Sequence, residues 1–365
     1  MPNRNRPLSR RDFLKLAGLG LGSLAFRPFD RILTLPEFPA SDRLARNCTG
    51  GMVPIKTRPS VHSATVRDIY EDSVLPWLSE VFTENMDYNR INQRWVETPE
   101  GYIYSSYVQQ CRNEINTPLE ALPEGKPGFW AEVTVPYVDI VLDNPPARSP
   151  GLRYLVDSGL PTRLYYSQVM WIDQVRPGER GVLYRVNEDA GHGYGYGDVF
   201  WAEGAAFRPL TEAEVAPINP DVDPGAKKVV INLNYQTLSC FENEREVYFC
   251  RVSTGSVANS TPLGEFPIWR KAIAMHMAAG TVDAGYDTPG VGWTTLFVGT
   301  GVAIHATYWH NQYGEKRSHG CVNCKPEDAK WIFRWTTPAV TLDNSDVTWS
   351  DWRSGSTRVV VEEKI

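Results

Sequence analysis

Cysteine, histidine and methionine are scarce in this 365-residue chain, with six of each. The closest cysteine pair, Cys321-x-x-Cys324, lacks the second pair that a zinc ribbon needs, which argues against a structural zinc site. No apolar run approaches the ~20 residues of a membrane-spanning helix. No Gly-rich phosphate loop, acid pair of glycosidase type or basic patch stands out. The net charge of −6 gives no reason to expect nucleic acid. What is present is an ordinary globular composition, 42% hydrophobic and 22% charged, in a chain too long for one small domain. Twelve Trp and seventeen Tyr suit well-filled β cores.

Ser9-Arg10-Arg11-Asp12-Phe13-Leu14-Lys15 matches the twin-arginine export motif. A weakly apolar, Gly-rich stretch from Leu16 to Phe26 follows, with a small-x-small signal at Ser23-Leu24-Ala25 and no lipobox Cys after it. Residues 1–26 are expected to be a signal read by the twin-arginine export machinery. The mature protein is then expected in the cell wall or periplasm, folded before it crosses. Cys240 and Cys250 flank an expected hairpin turn near Asn243-Glu244, which sets Cys240 opposite Val247 and Cys250 opposite about Thr237, a poor disulfide geometry. Cys48 and Cys111 are the preferred disulfide pair, and export in the folded state also allows all six thiols to be free.

Residues 27–60 are rich in Pro, Arg and Asp and read as a linker. Short β-like runs follow, broken by turn residues, in two blocks of similar order that span 61–128 and 129–215. Their look is similar to bacterial SH3-like domains, so two small β-barrel modules are expected. Gly191-His192-Gly193-Tyr194-Gly195-Tyr196-Gly197 reads as a hairpin tip. Thr211 with Glu214 forms a capping box for a short helix, and Pro217 to Pro224 is a linker that sets a boundary near 225. Residues 226–365 are strand-rich, with one helix predicted from Pro326 to Trp335 by its first-turn Pro and the spacing of Ala329, Trp331, Ile332 and Trp335. The fold class is mainly β.

The chemistry concentrates in Ser318-His319-Gly320-Cys321-Val322-Asn323, with His305 upstream in an apolar run. An imidazole near a thiol can generate a nucleophilic thiolate, and the Gly320 and Cys321 N–H groups can converge on an oxyanion. This points to cysteine acyl transfer, with Cys321 as nucleophile and His305 as base. The hexapeptide with its upstream Ile-His resembles the signature of the L,D-transpeptidase (YkuD-like) catalytic domain of bacterial cell-wall enzymes. Ser253-Thr254-Gly255, Thr261-Pro262-Leu263-Gly264-Glu265-Phe266 and the helix from Lys325 resemble further elements of that family, in the same order.

The resemblance implies a β-sandwich-like domain with one packed helix and no metal or organic cofactor. It also implies an enzyme that acts on peptidoglycan stem peptides as donor and acceptor to form 3→3 cross-links. A monomer is expected. The resemblance makes His319 a shaper of the site and Asn323 a substrate or loop contact, while the small Ser318 hydroxyl in a tight turn is suited to hold an imidazole or the loop by hydrogen bonding. Tyr308, Trp309, Tyr286 and Met275 are expected to line the groove, while His310 is expected at the surface. Ala306 stands where the family often has Gly, Ser or Asp, which leaves a backbone carbonyl to orient His305. Two other readings stay open: an L,D-carboxypeptidase with the same acyl-enzyme, and a wall-binding protein whose catalytic domain is idle.

Overall fold

The computed structural model describes residues 33–88, 90–193, 195, 197–279, 285–348 and 355–364. The export motif, the stretch to Phe26, and Tyr194 and Tyr196 of the Gly/Tyr tip lie outside these residues. Among the described residues no helix is long and apolar enough to cross a membrane. The described residues are mainly β, with three α-helices among them: α1 (Pro150–Asp157), α2 (Glu212–Val215) and α3 (Pro326–Trp335).

Strand begins at Leu44, inside the stretch expected to be a linker. Leu44–Asn47 is wholly buried and pairs with Val74–Pro76 and Val108–Cys111. Val53–Lys56 alternates inward and outward, so Val53 and Ile55 join Ala45, Ile69, Trp77, Val96 and Ile103 in one core. The Pro- and Arg-rich composition concealed that alternation. The first module therefore runs from 44 to 111, and 112–128 is the connection to the second.

The second module, Phe129 to Pro209, is a seven-stranded antiparallel sheet around Val133, Ile140, Tyr184, Phe200 and Phe207. Both modules end alike, in a hairpin, one turn of 3₁₀ helix (Ser105–Tyr107 or Gly204–Ala206) and a short strand. In α1, Ser149 caps the first turn by accepting from the Leu152 N–H, and Pro150 occupies a first-turn position. In α2, Thr211 and Glu214 form the capping box, and Glu214 also pairs with Arg208 and Lys330.

The last body packs two five-stranded sheets face to face, each mixed because one neighbouring pair runs parallel. Val229, Ile231, Ile304, Val322 and Val359 meet between them, and Trp293 packs edge-on against Phe333 of α3. Glu327 and Asp328 sit at the positive end of α3. At its other end, buried Lys271 donates to the carbonyls of Phe333, Thr336 and Pro338, and Lys227 to that of Trp335. Trp130 and Val169 of the second module share this core. Gly290 permits their close approach, because φ is +61° and a Cβ there would meet Met170 Sδ at 2.3 Å.

All six cysteines are free. Leu44 pairs with Cys111 and Asn47 with Val108, so Cys48 lies four ladder positions from Cys111, roughly 13 Å along the strand. The preferred disulfide is therefore not formed. In the hairpin Thr237–Glu242/Arg245–Arg251, Cys240 opposes Tyr248 and Cys250 opposes Leu238. Each lies one place from the expected partner, because the register slips between Cys240 and Phe241.

Candidate active site

The strand Ala303–Ala306 pairs antiparallel with Tyr286–Leu296 on one side and parallel with Val322–Cys324 on the other. His305 stands opposite Asn323, and Cys321 directly precedes the second strand. The sheet thus brings together two residues 16 positions apart in sequence. His305, Trp309, His319, Cys321, Met277, Tyr286, Gly301 and Arg317 line one cavity of about 500 Å³.

The turn before Cys321 is held from several directions. Gly320 has φ +150°, and a Cβ there would lie 2.6 Å from the Ser260 carbonyl oxygen. That contact, rather than room for substrate alone, requires glycine. The Ser318 hydroxyl accepts the Gly320 N–H at 3.0 Å and donates to the Cys321 carbonyl. Thr261 Oγ1 accepts from the Gly255 N–H and donates to the Gly320 carbonyl at 2.7 Å. The Thr254 carbonyl accepts from the N–H groups of Arg317 and Ser318, and Ser253 exchanges two backbone bonds with Asn323. The Ser-Thr-Gly and Thr-Pro segments are therefore the scaffold of the turn. The Gly320 N–H is already used within it and is not free for an oxyanion in this resting geometry.

The Cys321 thiol is half-buried and 3.8 Å from the Gly301 carbonyl oxygen. Burial raises its pKa, partly offset by the Ala303 N–H. His305 is buried, and its Nδ1–H donates to the Ala306 carbonyl at 2.8 Å. That bond fixes the proton on Nδ1 and leaves Nε2 basic. Burial lowers the imidazole pKa to about 4, the Ala306 carbonyl opposing. The thiol therefore keeps its proton at neutral pH. The resting pair is neutral, and any proton transfer accompanies substrate entry.

Other residues fall differently from expectation. Tyr308 is buried beneath the loop and lines a neighbouring cavity, while Trp309 faces the cysteine cavity and stacks on His305 at 5.8 Å. Met277, not Met275, reaches the cavity, because the register slips between those two residues. Asn323 lines the cavity wall, but its amide lies 2.8 Å from His310 Nε2. His310 is not a surface residue: it is buried, its Nδ1 accepts from the Gln312 N–H, and burial lowers its pKa to about 3. His319 is exposed, 5.2 Å from the Tyr286 ring. Cys324 is buried in the core beside Cys250, and among the described residues no group of three or more His, Cys, Asp or Glu is placed to hold a metal ion. Sequence reasoning missed Arg317 and the Gly301–Val302 wall, which no motif position marked.

The family model of the L,D-transpeptidase catalytic domain (YkuD) matches residues 226–361. A curated relative, the Probable L,D-transpeptidase YbiS of Escherichia coli K12, is 27% identical over 154 residues, covering 37% of this chain and 48% of its own. The chain thus spans about half the length of that relative. Among solved structures, the catalytic domain of an Enterococcus faecium L,D-transpeptidase is 23% identical, with a TM-score of 0.29 over 37% of this chain and 96% of its own. An L,D-transpeptidase from Mycobacterium smegmatis is 15% identical, with a TM-score of 0.30 over 50% and 90%. Over residues 226–361 this chain is similar to L,D-transpeptidase catalytic domains.

Proposed function

We propose that the protein is an exported L,D-transpeptidase that cross-links peptidoglycan stem peptides through an acyl-enzyme on Cys321. As a stem peptide enters, His305 Nε2 takes the thiol proton and the sulfur attacks the carbonyl that joins the L-centre of the third-position diamino acid to D-alanine. The oxyanion is held by N–H groups of the turn, with those of His319 and Cys321 as donors, since Ser318 occupies that of Gly320. The imidazolium returns its proton to the departing nitrogen and D-alanine leaves. His305 then takes a proton from the amine of a second stem, which attacks the thioester. The thiol re-forms and a 3→3 cross-link results. Arg317 is a cationic side chain of the cavity and is suited to a substrate carboxylate. The β modules are read as SH3-like supports of this domain.

The observation that carries this reading is the joint placement of Cys321 and His305, with the base's tautomer fixed by Ala306, inside the stretch that matches the family. The test is incubation with a disaccharide-tetrapeptide followed by product analysis. Cross-linked dimers with released D-alanine support it. Trimmed monomers alone indicate a carboxypeptidase, and unchanged substrate removes the assignment.

A further inference from the structure

The loop that follows His305 is gripped from outside its own domain. Arg46, on the strand Leu44–Asn47 of the first module, is 3% exposed. It is ion-paired to Asp72 at 2.8 Å, and its Nη2 donates both to Gln109 Oε1 at 2.8 Å and to the Tyr308 carbonyl at 2.7 Å. Its guanidinium lies 4.2 Å over the Tyr165 ring of the second module, and that ring stacks on Tyr308 at 5.8 Å. Gln168, also of the second module and fully buried, donates from Nε2 to the Tyr308 hydroxyl at 3.0 Å and to the Pro289 carbonyl at 2.6 Å. Tyr308 is therefore fixed at its carbonyl, its ring face and its hydroxyl, each time by a module residue.

The Tyr308 carbonyl belongs to the peptide plane that leads into Trp309. Holding it sets the backbone from which Trp309 reaches back over His305, with rings 5.8 Å apart and 30° from parallel. Tyr308 also meets Trp309 edge-on at 5.0 Å. A guanidinium removed from water so completely is retained only where its donors are matched, and here one of those donors crosses to the catalytic loop.

We propose that Arg46 and Gln168 are positioning residues for His305, acting through Tyr308 and Trp309, so that the β modules set the state of the base as well as tethering the domain. The inference rests on the assignment of His305 as the base. Trp309 covers the imidazole and keeps water from it. Loosening the grip admits water, restores the ordinary basicity of His305 and widens the spread of its orientations. The titratable or charged groups that share the cavity of His305 or couple to it are Cys321, His319, Tyr286, Arg317 and His310, and the test changes none of them.

The experiment follows the His305 Cε1–H signal by NMR in full-length protein carrying labelled histidine, assigned with His305→Gln, from pH 4.5 to 8. In the wild type it should stay in its neutral position down to pH 5. In Arg46→Ala the midpoint should move up by at least about one pH unit, toward the ordinary value of ~6.5. Acylation of Cys321 by a stem tetrapeptide should slow roughly 10- to 100-fold with little change in apparent affinity. A purely structural role would lower stability and leave the midpoint in place. A folded Arg46→Ala protein with an unmoved midpoint overturns the proposal. If that variant does not fold, Arg46→Lys, which keeps a cation beside Asp72 but loses the forked donor that reaches the Tyr308 carbonyl, takes its place: the same direction of shift is expected, and an unmoved midpoint again overturns the proposal. The titration needs no substrate, so a failure of the peptidoglycan reading shows only in the acylation arm.

Discussion

His305 is oriented by the residue next to it: its Nδ1 lies 2.8 Å from the Ala306 carbonyl oxygen, and no side chain stands between them. The third member of this Cys-His arrangement is backbone, so substitution at 306 cannot easily remove it. With the imidazole pKa held at about 4, the neutral form needed of a base persists well below the usual histidine range. The acylation rate should therefore change little between pH 7 and pH 5 on the acid side and fall only near pH 4. Single-turnover rates across this range check it, and an acid limb near 6.5 would contradict the described environment.

Gly320→Ala should abolish acylation while leaving a folded protein. The new methyl would meet the Ser260 carbonyl oxygen at 2.6 Å in a backbone conformation that disfavours side chains. Strain of this kind costs about 1–3 kcal/mol and is relieved only by moving the turn. Thermal melts and acyl-enzyme yield, measured together, should show a modest stability loss beside a loss of more than about 100-fold in rate.

Thr261→Val keeps shape but removes the hydroxyl that links the Gly255 N–H to the Gly320 carbonyl. Leaving two buried backbone groups without that partner should cost about 1–3 kcal/mol. Denaturant unfolding gives the stability change, and acylation should slow because the same hydroxyl fixes the turn that carries Cys321.

His276 joins the second module to the catalytic region, with Nδ1 2.9 Å from Glu188 and Nε2 2.5 Å from Asp287. Burial opposes its charge, but hydrogen bonds to the two carboxylates outweigh this and raise its pKa to about 9. The folded value exceeds the unfolded one of ~6.5, so the stabilisation is complete below pH 6.5 and is lost as pH rises through about 9. Unfolding free energy should decline across that window. His276→Gln should be less stable at pH 6 and should lose that contribution to the slope.

The six free thiols predict an intact mass with no disulfide and no change on reduction. Brief iodoacetamide treatment of the native protein should modify Cys321, because the other five cysteines are buried. Peptide mapping checks both statements.

Features written locally in the chain were legible in the sequence. Helix α3 follows its first-turn Pro326 and its periodic Ala329, Ile332 and Trp335. The Thr211/Glu214 capping box is present, and the Ser318–Asn323 segment does form a tight turn beside His305. Misplaced features depended on register or on distant partners. A one-residue slip decides between Met275 and Met277, and another displaces Cys240 and Cys250 from their expected neighbours. His310 is buried because a distant Asn323 receives it, which nothing near it in sequence signals. Arg46 sat in a stretch whose composition resembles a linker, and its partners lie 26 to 262 positions away.

The most direct test of the central claim is intact-protein mass spectrometry of the full chain with a disaccharide-tetrapeptide, beside the Cys321→Ala variant. An acyl-enzyme on Cys321 predicts a wild-type adduct equal to the substrate minus D-alanine and none on the variant. An adduct that survives in Cys321→Ala would contradict it, as would the absence of both adduct and released D-alanine in the wild type.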